Sequence, residues 1–542
     1  MIVESPVTVV GRGPVGMTTA LLLARWGVPS VIVDPQLSDE VSPGSKAVLI
    51  AGHVMSVCEP TGVGERIARE GVAWRTSRTF IRGREVATTV VPHEEGLWPR
   101  IVNLSQRRVE ELLLERVRAE PLITLRPLAR LVGLTDHSDR VTVRVNDGEG
   151  VEEFDTSWLV GCDGARSTLR KLLGVPFEGF GFEENFLIVD IRADLPFPDE
   201  RHFHFDPEYN PGRTVLIHPQ PGSTWHIDWQ VGPEVDAEDE QRSGRLDQRI
   251  RSVVGDADYE LLWLTTYKFK QLRAREFRRG RCLLVGDAAH LTSPYGARGM
   301  NSGIADAENA AWRLAMVIRG HADVALLDRY GPEREHAADE NQRITGATAR
   351  FMCPPTRTAR LRRAAVLALA RRFGFARRWV DSGRFYEPAT YPTELLGTGQ
   401  ATEPGASVVG RPVPDARVRT TDPKVDRLDQ LLRRGVVLLG FPGRDPAAVE
   451  QAMTAVLDRY PVSYPITALQ VVSSTPCLAV DHRYQQVQDV FEDLRATWWP
   501  EPCVDGGGRV LVIRPDAHVA ASTVPDSGRL IAALDAEFPP PV

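Results

Sequence analysis

The sequence predicts an α/β protein of several domains, and three observations support this fold class. The chain opens with a strand, helix and strand pattern, at residues 7–10, 14–26 and 30–33. Short β-like runs separated by Pro and Gly follow, which indicates a mainly antiparallel sheet, at residues 187–189, 202–205, 214–217 and 225–231. Further β-like runs with helical segments between them close the chain, at residues 435–441, 467–472 and 509–514.

Length and composition set limits on these domains. A chain of 542 residues is too long for one hydrophobic core. The basic residues are outnumbered, with a net charge of −7, so we expect no nucleic-acid partner. No apolar run reaches the roughly 20 residues of a membrane span, which argues against stable membrane insertion. The N-terminus has an acidic residue and only a short apolar run, so we expect no signal peptide and a cytoplasmic location.

The first motif is Gly11-Arg12-Gly13-Pro14-Val15-Gly16, which follows the first strand and opens the first helix. Gly11 permits a tight turn, Gly13 lets the backbone approach a pyrophosphate, and Gly16 allows helix and strand to pack closely. Pro14 and Val15 begin the helix, whose unpaired N–H groups attract an anion. This context predicts a Rossmann-like dinucleotide-binding domain.

Asp34 ends the second strand, 18 residues after Gly16, where it would accept hydrogen bonds from ribose hydroxyls. These features do not separate FAD from NAD, and two later segments decide between them. The segments Trp158-Leu159-Val160-Gly161-Cys162-Asp163-Gly164-Ala165-Arg166-Ser167 and Gly280-Arg281-Cys282-Leu283-Leu284-Val285-Gly286-Asp287-Ala288-Ala289-His290 each end a predicted strand in a turn that carries Gly and Asp.

In this order the three segments resemble the para-hydroxybenzoate hydroxylase family, the single-component FAD aromatic hydroxylases also called group A flavoprotein monooxygenases. The resemblance spans about residues 5–335. It implies that Asp287, beside Gly286, holds the FAD ribitol. It also implies that Asp163 and Gly164 support the pyrophosphate region, where NAD(P)H is recruited as well.

A glycine-dense loop follows the third segment, from Leu291 to Gly303. Such a loop can present backbone N–H groups to an anionic flavin ring, because small residues allow close approach. The resemblance places Pro294 by the ring and the N–H groups of Met300 and Asn301 at its pyrimidine edge. Ala297-Arg298-Gly299 replaces the commoner Gly-Gln-Gly of the family, and Arg298 brings a cation that could bias the flavin charge or the substrate.

Two further cofactor contacts follow from the resemblance. Lys46, in Ser45-Lys46-Ala47, stands where the family usually has Arg-Ala beside the FAD phosphates, and a Lys keeps the charge while losing the bidentate fork. Gln106 matches a family glutamine that contacts the flavin, although an exposed helix glutamine fits the same pattern.

We expect the substrate to bind at the middle sheet, which in this family covers a pocket over the flavin. Alternation of period two places His226, Asp228 and Gln230 on one face of a strand. That face either meets substrate or is solvated. A phenolic substrate needs a base to make it electron-rich, and His or Tyr would serve. The catalytic candidates are Pro294, Tyr295, Arg298, His226 and Asp228.

The segments Gly410-Arg411-Pro412-Val413-Pro414, Val436-Val437-Leu438-Leu439 and Val510-Leu511-Val512-Ile513-Arg514-Pro515-Asp516 look like the thioredoxin-like domain of the phenol hydroxylase and hydroxyphenylpropionate hydroxylase branch. The six cysteines form no Cys-x-x-Cys centre, so we expect a structural or assembly role, which leaves a homodimer open. The expected domains are an FAD-binding domain (1–75, 103–183, 270–345), a substrate-binding sheet (76–102, 184–269), a helical connection (346–396) and a thioredoxin-like domain (397–542). Residues 357–380 are basic and amphipathic, which fits a membrane-surface helix or a solvated arginine face.

The resemblance implies a single-component monooxygenase that hydroxylates a phenolic or other aromatic substrate. It would use FAD, O2 and NADH or NADPH through a flavin C4a-hydroperoxide, and it needs no metal site. Two alternatives stay open. The same fold could perform epoxidation or Baeyer–Villiger oxidation of a polyketide-type substrate, or the protein could be a flavin reductase without oxygenase activity.

Overall fold

The computed structural model describes residues 5–37, 41, 44, 48–92, 97–354, 356–380, 384–398, 408–441, 444–472, 483–488 and 508–541. The α helices are α1 (Pro14–Arg25), α2 (Gly52–Cys58), α3 (Gly64–Glu70), α4 (Gln106–Ala119), α5 (Thr168–Leu172), α6 (Ala237–Arg242), α7 (Arg245–Val254), α8 (Arg298–Ile318), α9 (Tyr330–Met352), α10 (Arg357–Arg372), α11 (Asp429–Leu432), α12 (Pro446–Arg459) and α13 (Ser527–Glu537). Short 3-10 helices occur at Glu59–Thr61, Gly286–Ala288, Val324–Arg329, Gly374–Trp379 and Thr393–Leu395.

The strands are β1 (Ser5–Val10), β2 (Ser30–Val33), β3 (Leu49–Ala51), β4 (Thr76–Ile81), β5 (Arg84–Val90), β6 (Ile101–Asn103), β7 (Ile123–Arg126), β8 (Arg130–Asp136), β9 (Val141–Asn146), β10 (Val151–Gly161), β11 (Phe177–Gly181), β12 (Asn185–Arg192), β13 (Arg201–Phe205), β14 (Thr214–Gln220), β15 (Thr224–Val231), β16 (Glu260–Tyr267), β17 (Lys270–Ala274), β18 (Arg278–Arg279), β19 (Cys282–Leu284), β20 (His290–Leu291), β21 (Val436–Phe441), β22 (Ile466–Val472), β23 (Tyr484–Gln488), β24 (Arg509–Ile513) and β25 (Val519–Thr523). The mixed α/β class predicted from the sequence is therefore confirmed.

The first sheet is parallel at its centre, as the opening βαβ unit predicts. Its strand order is β18-β19-β10-β1-β2-β7, and β8 and β9 form an antiparallel extension of β10. Strand β1 lies between β2 and β10 and is parallel to both, and β19 is parallel to β10. Helix α1 buries its apolar residues against this sheet and against α8, within one continuous core.

The second sheet has the strand order β16-β12-β15-β14-β13-β4-β5. Its pairings are antiparallel except for β4 beside β13, so the prediction of a mainly antiparallel sheet is confirmed. Along β15 the residues Trp225, Ile227 and Trp229 face α7, where they pack against Leu246 and Ile250. The opposite face of the sheet looks toward the first domain.

The C-terminal sheet has the strand order β23-β22-β21-β24-β25, in which β21, β22 and β23 are parallel and β24 and β25 are antiparallel. This unit shares a core with the first domain, because Trp312 and Met316 of α8 pack among its buried residues. Helix α9 runs without a break from Tyr330 to Met352, across the domain boundary expected at residues 345 and 346.

The basic stretch 357–380 forms α10 and the 3-10 helix that follows it. Its buried side is formed by Arg363, Leu367 and Ala370, the last two within an apolar cluster that also contains residues of the second sheet. Among the described residues no helix is both long enough and apolar enough to cross a bilayer.

Candidate active site

Three turns meet at one edge of the first sheet. The register pairs Val10 of β1 with Gly161 of β10, and Gly161 with Leu284 of β19. Because neighbouring parallel strands end at the same edge, the turns that follow them come together. The three sequence segments, which lie far apart in the chain, therefore form one surface.

The glycines of the first turn are required for different reasons. Gly11 has φ +102°, and a Cβ added there would lie 2.5 Å from the carbonyl oxygen of Cys162. A Cβ at Gly16 would lie 2.0 Å from the carbonyl oxygen of Gly11. A Cβ at Gly13 would meet no atom within 4 Å. The protein leaves open space at Gly13, as close approach of a ligand to the backbone would require.

Asp34 and Asp163 organise the backbone of two of these turns. The buried Asp34 carboxylate accepts hydrogen bonds from the backbone N–H of Arg12, at 2.7 Å, and of Gln36, at 2.9 Å. Asp163 accepts hydrogen bonds from the Ser167 hydroxyl, at 2.5 Å, and from the backbone N–H groups of Thr168 and Leu169 at the start of α5. Asp163 is thus a helix cap as well as a neighbour of the turn, and Gly164, with φ +74°, lies in the cavity wall beside it.

A network of buried charged side chains stabilises the third turn. Asp306 of α8 accepts from the backbone N–H of Gly286 at 3.0 Å and lies 2.7 Å from His290 Nε2. Its other oxygen accepts from Arg334 Nε at 2.6 Å, and this guanidinium lowers the pKa of the carboxyl against the effect of burial. The network presents the exposed side chain of Asp287 to the cavity.

The loop before α8 is fixed by Arg298 and Asn301. Arg298 is 4% exposed and donates to Asn341 at 2.6 Å and to the carbonyl of Phe385 at 2.8 Å, and its buried Nε has no hydrogen-bond partner among the described residues. Burial lowers the pKa of this guanidinium. The Asn301 side chain bridges to the backbone of Leu49 and Ala51 in β3. The N-terminus of α8 thereby faces the cavity together with Gly299 and Met300.

Lys46 lies outside the described residues. Gln106 begins α4 and lines the cavity, with its side-chain amide donating to Glu110 at 2.8 Å. Its contact with the flavin stays a prediction.

One cavity of about 420 Å³ joins these turns to the second sheet, and we call it the central cavity. Its sheet wall is rich in aromatic and aliphatic side chains, namely Phe186, Ile188, Phe203, Leu216, Tyr267 and Phe269. At the opposite end it reaches Gly13, Pro14 and Val15. The loop residues Pro294, Tyr295, Arg298, Gly299 and Met300 form the wall between the two ends.

His226 and Asp228 of β15 line this cavity. His226 Nδ1 lies 2.6 Å from Asp190, and His226 Nε2 lies 3.2 Å from Asp228. Burial alone would lower the pKa of His226, but Asp228 and Asp190 outweigh it and raise the pKa to about 10. His226 is therefore an imidazolium held between two carboxylates at neutral pH. Of the two carboxylates, Asp228 is the one that lines the cavity.

Tyr295 lines the cavity beside Phe186, with ring centroids 6.1 Å apart. Its hydroxyl is 3.8 Å from the Cys353 sulfur, and burial raises the pKa of this phenol well above its usual value. The raised pKa favours the neutral phenol form of Tyr295, and its role in catalysis stays a prediction.

Sequence reasoning missed Arg201, His218 and Phe385, which also line the cavity. Arg201 is 4% exposed and stacks near Phe203 and Phe385, with its guanidinium carbon 5.1 and 5.3 Å from the ring centroids. Burial lowers its pKa to about 10. Alternation along β13 could have placed Arg201 beside Phe203, but Phe385 comes from a segment with no periodic pattern.

Comparison with known families decides the identity of the ligand at the three turns. Residues 4–345 match the model of the FAD binding domain family. The chain belongs to this FAD-binding family. Residues 410–537 match a second model, described as the HcaD C-terminal domain.

Relatives of this FAD-binding protein include hydroxylases of phenolic acids. It is 28% identical to 3-(3-hydroxy-phenyl)propionate/3-hydroxycinnamic acid hydroxylase 2 of Burkholderia vietnamiensis, over 96% of this chain and 94% of the relative. It is 27% identical to the corresponding Escherichia coli hydroxylase, over 96% and 92%. The sequence prediction of an FAD-dependent aromatic monooxygenase is confirmed.

Solved structures of similar fold include two monooxygenases and a hydroxylase. Para-nitrophenol 4-monooxygenase PnpA from Pseudomonas putida has a TM-score of 0.61 and 26% identity, over 70% of this chain and 97% of that one. The monooxygenase PieE, solved with FAD and substrate, has a TM-score of 0.76 and 22% identity, over 99% and 98%. Aklavinone-11 hydroxylase, solved with FAD and aklavinone, has a TM-score of 0.73 and 23% identity, over 99% of each chain.

The residues of the FAD-binding protein fit this cofactor. Open space at Gly13 and at Gly299, where an added Cβ would meet no atom within 4 Å, leaves room for a ligand against the backbone at one end of the cavity and along its loop wall. The N-termini of α1 and α8 supply unpaired N–H groups, which favour the anionic parts of a dinucleotide. The buried Arg298, the first residue of α8, adds a positive charge to the cavity wall.

Proposed function

We propose that this enzyme hydroxylates a phenolic ring that binds against the second sheet, with O2 and NADH or NADPH as co-substrates. The observation that carries the proposal is the central cavity itself. It joins the three turns assigned to FAD to an apolar, aromatic wall. Beside this wall, the His226 imidazole lies between the carboxylates of Asp190 and Asp228. The names of the phenolic acid hydroxylases among its relatives support the same substrate class.

The aromatic wall would bind and orient the ring. Phe203 and Phe269 come from the sheet side, and Phe385 closes the cavity from the segment after α10. Aromatic neighbours prefer offset or edge contacts, which hold a flat ring in a defined orientation. Burial of the ring also excludes water from the reaction.

Asp228 would accept the phenol proton. A carboxylate within reach of the hydroxyl makes the ring electron-rich, which is what oxygen transfer to an aromatic carbon requires. His226 does not take this proton, because both of its nitrogens already face carboxylates. We assign His226 and Asp190 the role of positioning Asp228, and Arg201 the role of stabilising the negative charge that develops on the phenol oxygen.

FAD, when bound, supplies the oxygen-transfer chemistry, and the protein supplies its surroundings. We assign the FAD phosphates to the backbone of residues 11–16 and to Lys46, and the adenosine ribose hydroxyls to Asp34. The ribitol is assigned to Asp287, and the ring to Gln106, Pro294, Met300 and Asn301. Arg298 would favour negative charge on the ring, because its buried guanidinium lacks a carboxylate within ion-pair distance among the described residues.

We also propose that the C-terminal unit is thioredoxin-like. Its order of strand, helix and strand, followed by an antiparallel hairpin and a helix, supports this class. The domain boundaries given above, a cytoplasmic location and a homodimer stay proposals as well.

The decisive test is oxygen consumption by the FAD-loaded enzyme with NADH or NADPH and a panel of phenols, hydroxybenzoates and hydroxyphenylpropionates. We expect a substrate-stimulated rate and a product heavier by one oxygen atom on mass analysis. Reduction of FAD with no oxygenated product would support a reductase instead. A ketone converted to an ester, or an alkene to an epoxide, would support the alternative oxygenations.

Asp228→Asn tests the assigned proton acceptor. The rate of oxygenation should fall at least 100-fold, because general base catalysis typically contributes 10² to 10⁴, while NAD(P)H still reduces the flavin. Asp258→Asn is the matched control, since Asp258 is an exposed carboxylate of the same domain. Equal oxygenation rates in the two variants would refute the role of Asp228.

A further inference from the structure

A second cavity lies between α10 and the second sheet, and we call it the arginine cavity. Its volume is about 650 Å³, within the usual range for small-molecule sites. The side chains that line it belong to the sheet strands, to their loops and to α10. None of them lines the central cavity. The arginine cavity is thus separate from the site assigned to FAD and the phenol.

The lining is strongly positive. Seven arginines and two carboxylates contribute to it. Both carboxylates are already paired, Asp206 with Arg82 at 2.6 Å and Glu184 with Arg213 at 2.9 Å. Among the described residues, the other five arginines have no carboxylate within ion-pair distance. The cavity therefore carries an excess of five positive charges.

Arg363 is the buried one among these arginines. Its side chain belongs to α10 and is 7% exposed. Nη1 donates to the carbonyl oxygens of Gly212, at 3.2 Å, and Met352, at 3.1 Å. Nε and Nη2 are buried and have no hydrogen-bond partner among the described residues.

These two unpartnered nitrogens form one edge of the guanidinium. Their N–H groups are parallel, and this edge matches the two oxygens of a carboxylate or a phosphate. A buried charge with unsatisfied donors is costly to leave without an anion. A bound oxyanion would accept hydrogen bonds from both Nε and Nη2 and would also neutralise the positive charge of the guanidinium.

We propose that the arginine cavity binds a small organic oxyanion, a carboxylate or a phosphate ester, through the Nε and Nη2 edge of Arg363. Arg371 and Arg372 lie at the rim on the last turn of α10, where they attract the anion and screen its remaining charge. Ile81, Leu367 and Ala368 provide an apolar strip for the carbon part of the ligand.

The site adjoins the central cavity through a thin wall. Gln230 lines the arginine cavity and donates to the Cys353 sulfur at 3.2 Å, and that sulfur contacts the hydroxyl of Tyr295. The ligand is nevertheless distinct from the aromatic substrate, because the two cavities have no lining residue in common. The proposal does not depend on the hydroxylase activity.

Calorimetry on the full-length, FAD-loaded enzyme tests the site with two probes, inorganic pyrophosphate and hexanoate. The loaded FAD occupies the other phosphate site, and hexanoate has no aromatic ring to enter the central cavity as a substrate. We expect at least one probe to bind with one site per chain. Tighter pyrophosphate binding identifies the ligand as a phosphate, and tighter hexanoate binding identifies it as a carboxylate.

Arg363→Lys keeps the positive charge but removes the pair of parallel N–H groups. The dissociation constant of the bound probe should therefore rise at least tenfold. Arg362→Lys is the matched control, because Arg362 is the exposed neighbour on α10 outside the cavity, and its effect should stay within twofold. If Arg363→Lys fails to fold, the rim variant Arg371→Gln with Arg372→Gln replaces it, with the same expected weakening. Absence of binding by both probes, or unchanged affinity in the folded cavity variants, would overturn the proposal.

Discussion

Gly11 and Gly13 stand two residues apart in the first turn, yet different neighbours constrain them. At Gly11 both the positive φ and the carbonyl of Cys162 forbid a side chain, so the protein fold itself requires glycine. At Gly13 the backbone is extended, with φ −70° and ψ 177°, and the surrounding space is open. Neither the backbone conformation nor a neighbouring protein atom forbids a side chain there, so the open space is available to a ligand.

The two glycines give a paired prediction. Gly13→Ala should leave the unfolding free energy of the FAD-free protein within about 0.5 kcal/mol and raise the dissociation constant of FAD at least tenfold. Gly11→Ala should destabilise the protein with or without FAD. Chemical denaturation and flavin fluorescence titration measure the two effects. An unchanged FAD affinity in Gly13→Ala would place the pyrophosphate elsewhere.

His226 makes a prediction about pH. Its pKa of about 10 exceeds the value of about 6.5 expected for an unfolded histidine. A raised pKa contributes stability that is complete below about 6.5 and is lost as the pH rises toward 10. The difference in Tm between wild type and His226→Gln should therefore shrink from pH 6.5 to pH 10. A constant difference across this range would show that His226 is neutral.

At the scale of elements, helix α8 connects the parts of the site. Its N-terminus lines the central cavity, Asn301 reaches β3, and Asp306 holds the third turn through Gly286. Small residues allow this close packing, since a Cβ at Gly303 would lie 2.8 Å from Val15 of α1. The cofactor turns and α8 are thus one packed unit.

Asp306→Asn tests whether the buried charge network stabilises the packed unit of α8 and the cofactor turns. Removal of the carboxylate leaves the buried Arg334 without its charged partner, which typically costs about 3 to 5 kcal/mol. Asp339→Asn is the contrast, because Asp339 forms a largely exposed pair with Arg273, and such pairs are worth about 0 to 1 kcal/mol. Urea denaturation measures both variants. Equal effects would mean that the buried network does not stabilise the turn.

At the scale of the whole molecule, the C-terminal unit is joined to the FAD-binding region by buried charges. Arg514 follows β24 and contacts Glu333 of α9 at 2.8 and 2.9 Å, as well as Asp516 at 2.5 Å. Arg313 of α8 reaches the same Glu333 at 2.7 Å. Because these groups are fully or almost fully buried, the two regions are expected to unfold together.

Arg514→Gln should lower the unfolding free energy by about 3 to 5 kcal/mol, since it leaves several carboxylates short of a buried cation. Arg459→Gln, at an exposed position on α12, should change it by less than about 0.5 kcal/mol. Urea denaturation followed by circular dichroism and tryptophan fluorescence measures the change. An unaltered midpoint in Arg514→Gln would show that the C-terminal unit docks through its apolar contacts alone.

The sequence alone determined the fold class, the βαβ opening and four strands of the second sheet, which depend on local signals because glycine turns and apolar periodicity act within about 20 residues of each other. The FAD-dependent chemistry followed from the resemblance of three distant segments to a known family. The same signals placed His226 and Asp228 on one face of a strand. They did not say whether that face meets solvent or a cavity.

Only the tertiary structure decided what surrounds those residues. It buries His226 between Asp190 and Asp228, which makes it a cation and leaves Asp228 as the carboxylate in the cavity wall. It also brings in Phe385 from beyond α10, and it places Arg363 in the wall of a second cavity, with two of its nitrogens unpartnered among the described residues. Burial and charge are set by atoms far apart in the chain, so no local pattern encodes them.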